Sequence, residues 1–119
     1  MFLVLGVTVV MIIVHEIAHA IVTQSLGGYF EGVEFRSFPL MVGVKLRVDG
    51  LSRPALATTL WAGPVSEVIV LGLAAALDPQ HLVWWAMIWG LEWGVNLIPW
   101  SFIPNDGTRL WRLWRGIPV

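Results

Sequence analysis

The chain has 119 residues, no cysteine and a formal net charge of −1. Hydrophobic residues make up 57% of it and charged residues 13%, about half the charged share of soluble domains. A soluble domain of this size could not bury so much apolar surface. The composition therefore indicates an integral membrane protein. It excludes a disulfide framework and a thiolate metal site, and it gives no electrostatic reason to expect a nucleic-acid partner.

Three apolar segments are candidates for membrane-spanning helices, since about 20 helical residues cross roughly 30 Å of hydrocarbon. These segments are 2–22, 55–77 and 82–103. The third is interrupted by Pro99 and is expected to continue beyond it at membrane depth. We predict an all-α membrane protein with a three-transmembrane-helix core, as a single domain covering 1–119. The alternative of a secretory signal peptide at 1–20 lacks a charged amino-terminal region, and His15 and Glu16 interrupt its apolar stretch.

A segment between the first two spans, residues 29–49, has a different pattern. Polar and apolar residues alternate in 33–36 and again in 44–49, and a period of two residues predicts strands. The intervening residues 37–43 would form the turn. An open two-stranded sheet cannot lie in lipid, because its edges would be unsatisfied. We therefore predict a small β-hairpin at the membrane interface or in a protein-lined cavity.

Positive charges indicate how the chain is oriented. All seven lie either in the loop after the first span or near the C-terminus, namely Arg36, Lys45, Arg47, Arg53, Arg109, Arg112 and Arg115. With three spans these two regions lie on one side, and the positive-inside bias makes that side cytosolic. We expect a plasma-membrane protein embedded in the lipid bilayer, with its N-terminus outside and its C-terminus in the cytosol. The stretch 109–115, which also contains Trp111 and Trp114, is typical of an interfacial anchor.

The chemistry of the chain is indicated by His15-Glu16-Ile17-Ala18-His19. Two histidines four residues apart point the same way from a helix and can bind one zinc ion. Glu16 would lie beside the metal and could accept a proton from its water, which is the H-E-x-x-H pattern of metalloproteases. Ionisable residues inside a span are costly and need a reason. The alternative is a hydrogen-bonded polar cluster inside a helix bundle.

Zinc requires a third protein ligand and one position left open for water. The candidates are the carboxylates of Glu67, Glu92 and Asp106. Asp106 follows the third span at the same membrane depth as His15 and His19, which favours it. It belongs to an Asn-Asp-Gly triplet that predicts a turn, so an ordinary turn aspartate is its alternative.

Three motifs together resemble those of the site-2 protease family of intramembrane zinc metalloproteases. His15–His19 is similar to the zinc helix of that family, and Ala62-Gly63-Pro64 is similar to its Gly-Pro element. Asn96-Leu97-Ile98-Pro99, followed by Asp106-Gly107, is similar to its third element. The three occur in the family's order, one in each core helix.

The resemblance implies a role for each residue. His15, His19 and Asp106 would bind Zn²⁺, and Glu16 would be the catalytic base. Asn96 would hold the substrate backbone or the developing oxyanion, and capping of the helix end before Pro99 is its alternative.

The implied function is hydrolysis of peptide bonds in transmembrane protein or peptide substrates by a zinc metalloendopeptidase with its site toward the cytosol. A second copy of the chain or another membrane protein could complete the bundle.

Two features depart from the family pattern: Glu67 stands where an asparagine is common, and the spacing from Asn96 to Asp106 is about two residues longer. The alternative function is a catalytically inactive membrane binding module or an ion or proton conduit, for which Glu67 and Glu92 would argue.

Overall fold

The computed structural model describes residues 2–37, 40–99 and 105–117. Its helices are α1 (Phe2–Ser25), α2 (Arg53–Leu77), α3 (Leu82–Leu97) and α4 (Asp106–Trp114), with a 3₁₀ turn at Pro79–His81. Its strands are β1 (Tyr29–Ser37) and β2 (Leu40–Arg47), which pair antiparallel. The protein is thus mostly helical, and the predicted hairpin after the first helix is confirmed. Its predicted turn at 37–43 is wrong, because Ser37 and residues 40–43 pair within the strands.

Helices α1 and α2 contain 24 and 25 residues, so each is about 36 Å long at 1.5 Å per residue. Both are long and apolar enough to cross a membrane. Helix α3 has 16 residues and is about 24 Å long, which is less than the thickness of the hydrocarbon core. A core of three membrane-spanning helices is therefore not confirmed. The predicted continuation of the third span at 100–103 lies outside the described residues.

Helices α1 and α2 pack through two rows of buried residues spaced four apart. The row on α1 is Met11, His15, His19 and Thr23. The row on α2 is Thr59, Gly63, Glu67 and Leu71. Residues four apart form one ridge on a helix, so each row is a continuous packing surface. At one end Met11 and Leu71 join Trp85 of α3 in an apolar cluster. Polar side chains and Gly63 occupy the other positions of both rows, where the structure places the candidate site.

Helix α4 begins where the Asn-Asp-Gly triplet predicts a turn, so that prediction is wrong for Asp106, which is the first residue of α4. Asn105 caps the helix, because its Oδ1 accepts a hydrogen bond of 2.8 Å from the Thr108 N–H. The Nδ2 of the same side chain donates to the carbonyls of Val95 and Ile98 at the end of α3. One asparagine therefore fixes the start of α4 against the end of α3.

Glycine at position 107 permits this close approach of α4 to α3. A Cβ atom at Gly107 would lie 1.9 Å from the carbonyl oxygen of Leu97, which is backbone and cannot move aside easily. At the other end of α4, the guanidinium of Arg53 donates a hydrogen bond to the carbonyl of Leu113. Both ends of α4 are thus attached to the helix bundle, and the position of Asp106 is defined by these attachments.

Candidate metal centre

Three buried side chains from two helices direct one atom each to a common point. The Nε2 atoms of His15 and His19 lie 3.0 Å apart. Asp106 Oδ2 lies 3.2 Å from the Nε2 of His15 and 3.0 Å from that of His19. His15 is only 4% exposed, and His19 and Asp106 are each 6% exposed. The structure therefore brings together the two histidines and the aspartate that the sequence singles out as metal ligands.

The far side of each imidazole ring has its own partner on α2. His19 Nδ1 lies 2.7 Å from the carbonyl oxygen of Thr59, and His15 Nδ1 lies 2.6 Å from Oε1 of Glu67. A carbonyl oxygen only accepts hydrogen bonds, so the Nδ1 of His19 carries a proton and donates it. The Glu67 oxygen likewise accepts from His15. In the neutral rings both Nε2 atoms consequently present lone pairs toward Asp106.

This donor set fits a metal ion. Two lone pairs and a carboxylate oxygen at 3.0–3.2 Å repel one another unless a cation lies among them. Ligands at 2.0–2.1 Å from a tetrahedral ion are separated by about 3.3 Å, close to the distances found here. His15, His19 and Asp106 could therefore hold a metal ion.

The Asp106 carboxyl is charged under ordinary conditions. Burial acts to raise its pKa, but the His15 and His19 side chains next to the carboxyl outweigh burial and lower the pKa to about 2. Asp106 thus contributes a full negative charge to the centre, which suits a divalent cation.

Glu16 lies beside the three ligand atoms and outside the ligand set. Its Oε1 is 4.0 Å from His15 Nε2, and its Oε2 accepts a hydrogen bond of 3.0 Å from the Val44 N–H. Val44 belongs to β2, which pairs with β1 through Val33 and its neighbours. The hairpin therefore holds the Glu16 carboxylate in place through a backbone N–H of β2. The Glu16 carboxylate is therefore held next to His15, one of the three residues that could hold a metal ion.

A cavity of about 290 Å³ opens onto the ligands and is lined by α1, β2, α2, the end of α3 and the start of α4. Asn96 lines it, and its Nδ2 lies 3.5 Å from Glu92 Oε2. The carbonyls at the end of α3 are bound by Asn105, which has the capping role considered for Asn96. Glu92 is not among the ligands at this centre, and neither is Glu67, which contacts His15 from behind.

Four supporting residues were not assigned these roles from the sequence: Thr59, Glu67, Asn105 and Val44. Signals existed for Glu67 and Asn105. Glu67 lies four residues after Gly63, the same spacing as that of the two histidines, which indicates one face of α2. Asn105 stands directly before an amphipathic stretch, as helix caps do. The Thr59 and Val44 contacts use backbone atoms, about which side-chain patterns give no information.

The substitution Gly63→Ala should weaken metal binding at least about tenfold, the size of effect seen when the groups that orient metal ligands are disturbed. A Cβ atom at Gly63 would lie 2.5 Å from His19 Nε2 and 2.6 Å from His15 Nε2, so both rings would have to move. Competition titration of the purified protein with a chelator measures this change. Gly72→Ala on the same helix is the matched control, since a Cβ there meets nothing within 4 Å. Equal affinities for the two variants would show that the rings do not bind the metal in this arrangement.

The centre combines three converging ligands, a carboxylate beside them and a cavity that admits other molecules. Such an arrangement can bind a metal ion and bring a proton acceptor to a molecule next to it. No protein-family model, curated protein or solved structure matches this chain, so the interpretation of its chemistry rests on its own residues.

Proposed function

We propose that the protein is an intramembrane zinc metalloendopeptidase that hydrolyses peptide bonds of membrane-protein substrates. One observation carries the proposal: Asp106, which follows the two histidines by about ninety residues in the chain, converges on His15 and His19 beside Glu16. The order of the motifs, which resembles that of site-2 proteases, supports the same function. A simple polar cluster between helices would not need a further carboxyl group facing a cavity.

A membrane location is supported by the surface of the two long helices. Large apolar side chains are exposed along α1 and α2, including Leu5, Ile13, Ile21, Ile69 and Leu73. Core helices of soluble proteins bury such residues, whereas lipid is a suitable solvent for them. We therefore propose that α1 and α2 cross the bilayer and that α3, with the segment after it, crosses back. The hairpin and α4 then lie on the cytosolic side, as the distribution of Lys and Arg predicts.

Zinc is proposed because of the ligand types and their number. Two imidazole nitrogens and one carboxylate oxygen leave one tetrahedral position open, as in catalytic rather than structural zinc sites. When bound, zinc supplies a Lewis acid that lowers the pKa of water to about 7 and polarises a carbonyl group. The substrate carbonyl would reach the open position through the cavity.

The chain's own residues then move protons and hold the substrate. Glu16 accepts a proton from the attacking water, whose oxygen bonds to the carbonyl carbon of the substrate. The Val44 N–H holds one oxygen of Glu16, so the other stays directed toward the ligands. Asn96 can donate its amide hydrogens to the substrate backbone or the developing oxyanion. Glu16 then gives its proton to the leaving nitrogen as the C–N bond breaks.

Metal removal tests the proposal directly. The full chain purified in detergent should contain about one zinc ion per molecule, the stoichiometry of a single catalytic site. Chelation should abolish cleavage of a membrane-protein substrate, and added zinc should restore it. Absence of bound metal, or cleavage that resists complete metal removal, would contradict the proposal. A chain that binds zinc without cleaving any membrane substrate would instead be the inactive binding module.

A further inference from the structure

Glu67 forms a contact that the proposed reaction does not use directly. It is 1% exposed and lies within α2, one helical turn after Gly63. Its Oε1 accepts a hydrogen bond of 2.6 Å from His15 Nδ1, on the side of the ring opposite the ligand atom. Among the described residues, its other oxygen, Oε2, has no hydrogen-bond partner. A buried carboxyl group with one unsatisfied oxygen is costly, so its presence in an apolar helix requires a reason.

The two histidines are supported in parallel ways from the same face of α2. Three residues of α2, spaced four apart, face the histidines. Thr59 faces His19, Glu67 faces His15, and Gly63 between them faces both imidazole rings. Gly63 permits the rings to lie against α2, and the residues on either side of it bind the Nδ1 atoms. The support for His19 is a backbone carbonyl, which a substitution cannot remove. The support for His15 is a side chain, which can be replaced.

We propose that Glu67 is the positioning residue for the metal ligand His15. By accepting the Nδ1 hydrogen it fixes the ring orientation and the tautomer, so that Nε2 faces the metal with its lone pair. A carboxyl partner also increases the electron donation of the imidazole, as is common behind metal-bound histidines. A contact serving only to join two helices could use a hydroxyl or amide acceptor, which would not leave a second carboxyl oxygen buried without a partner. This inference rests on the metal site of the proposed function.

Metal affinity of the full chain in detergent tests the role without any substrate. Glu67→Met keeps the length of the side chain, suits an apolar helix and removes the acceptor. We expect its zinc dissociation constant, from chelator competition, to rise about 10–100-fold. Glu67→Gln retains an acceptor oxygen for the Nδ1 hydrogen, so its affinity should lie closer to that of the unmodified chain. The visible absorption spectrum of the cobalt-substituted protein should change more for methionine than for glutamine.

Ser66→Ala is the matched control for disturbance of α2. Ser66 is a buried neighbour whose hydroxyl donates to the Gly63 carbonyl, and among the described residues it has no hydrogen bond to either histidine. Its zinc affinity and cobalt spectrum should remain unchanged. The inference is overturned if Glu67→Met binds zinc as tightly as the unmodified chain. It is also overturned if methionine and glutamine weaken binding equally, or if Ser66→Ala has the same effect as Glu67→Met.

The two proposals fail in different ways. If the unmodified chain binds zinc and Glu67→Met binds it weakly, but no membrane substrate is cleaved, the positioning role stands and the proteolytic function does not. If the unmodified chain cleaves its substrate in a zinc-dependent way and Glu67→Met retains full affinity, proteolysis stands and the positioning role does not. A purely structural role would lower resistance to unfolding in Glu67→Met and leave the zinc affinity of the folded protein unchanged.

Discussion

Replacing Glu16 with glutamine should abolish proteolysis while the metal centre stays intact. Glu16 is not one of the three ligand residues, and glutamine retains an oxygen that can accept the Val44 N–H. What the substitution removes is the ability to take a proton from water, and losing such a base typically costs 10²–10⁴-fold in rate. We expect cleavage of a co-expressed membrane substrate to fall at least about 100-fold, while the zinc content of the purified variant remains that of the unmodified chain.

Glu31→Gln provides the control for this experiment. Glu31 is a carboxylate of the hairpin that pairs with Arg47 at 2.7 Å, and it does not line the metal cavity. Its loss should leave both cleavage and zinc content unchanged. If the Glu16→Gln variant still cleaves at more than about one tenth of the normal rate, Glu16 is not the base, since a base contributes at least about 10²-fold. If the unmodified chain cleaves nothing, the protein is the binding module or conduit that the sequence left open.

The fold was predictable where the pattern is local. Apolar runs predicted α1 and α2, and alternation at 29–49 predicted a hairpin whose strands are Tyr29–Ser37 and Leu40–Arg47. Pro99 predicted the end of α3 near Leu97. Helix α4 was not predicted, because Asn105, Asp106 and Gly107 have the composition of a turn. Their contacts with the end of α3 select a capped helix instead, and such tertiary contacts override local propensity.

Less of the site was predictable than of the fold. His15 and His19 follow from spacing on one helix, because four residues bring them to one face. The selection of Asp106 required an estimate of membrane depth, and the structure places its carboxylate 3.0 and 3.2 Å from the histidines. The partners of the Nδ1 atoms depend on how α1 packs against α2, so no pattern within α1 could identify them. Glu67 was noticed as a departure from a family pattern, but its contact with His15 required the packed structure.

Replacing Asp106 with alanine should remove metal binding and proteolysis together. The two histidines would remain, but the charged ligand that balances a divalent cation would be gone. Loss of a group that only supports a ligand costs 10–100-fold in metal affinity, so we expect the loss of the ligand itself to exceed about 100-fold. Chelator competition and zinc content of the purified variant measure the change, and cleavage of the co-expressed substrate should fall to background.

Asp78→Ala is the matched control, since Asp78 also pairs with a histidine, His81, but at the exposed turn before α3. Its zinc affinity should equal that of the unmodified chain. Tight zinc binding by Asp106→Ala would mean that the convergence on His15 and His19 is only a hydrogen-bonded cluster.

Glu16→Gln and Asp106→Ala therefore test separate statements, because the first variant should lose proteolysis alone and the second should lose both zinc binding and proteolysis. A polar cluster that merely joined the helices would give neither result, since its variants would change resistance to unfolding without changing zinc content.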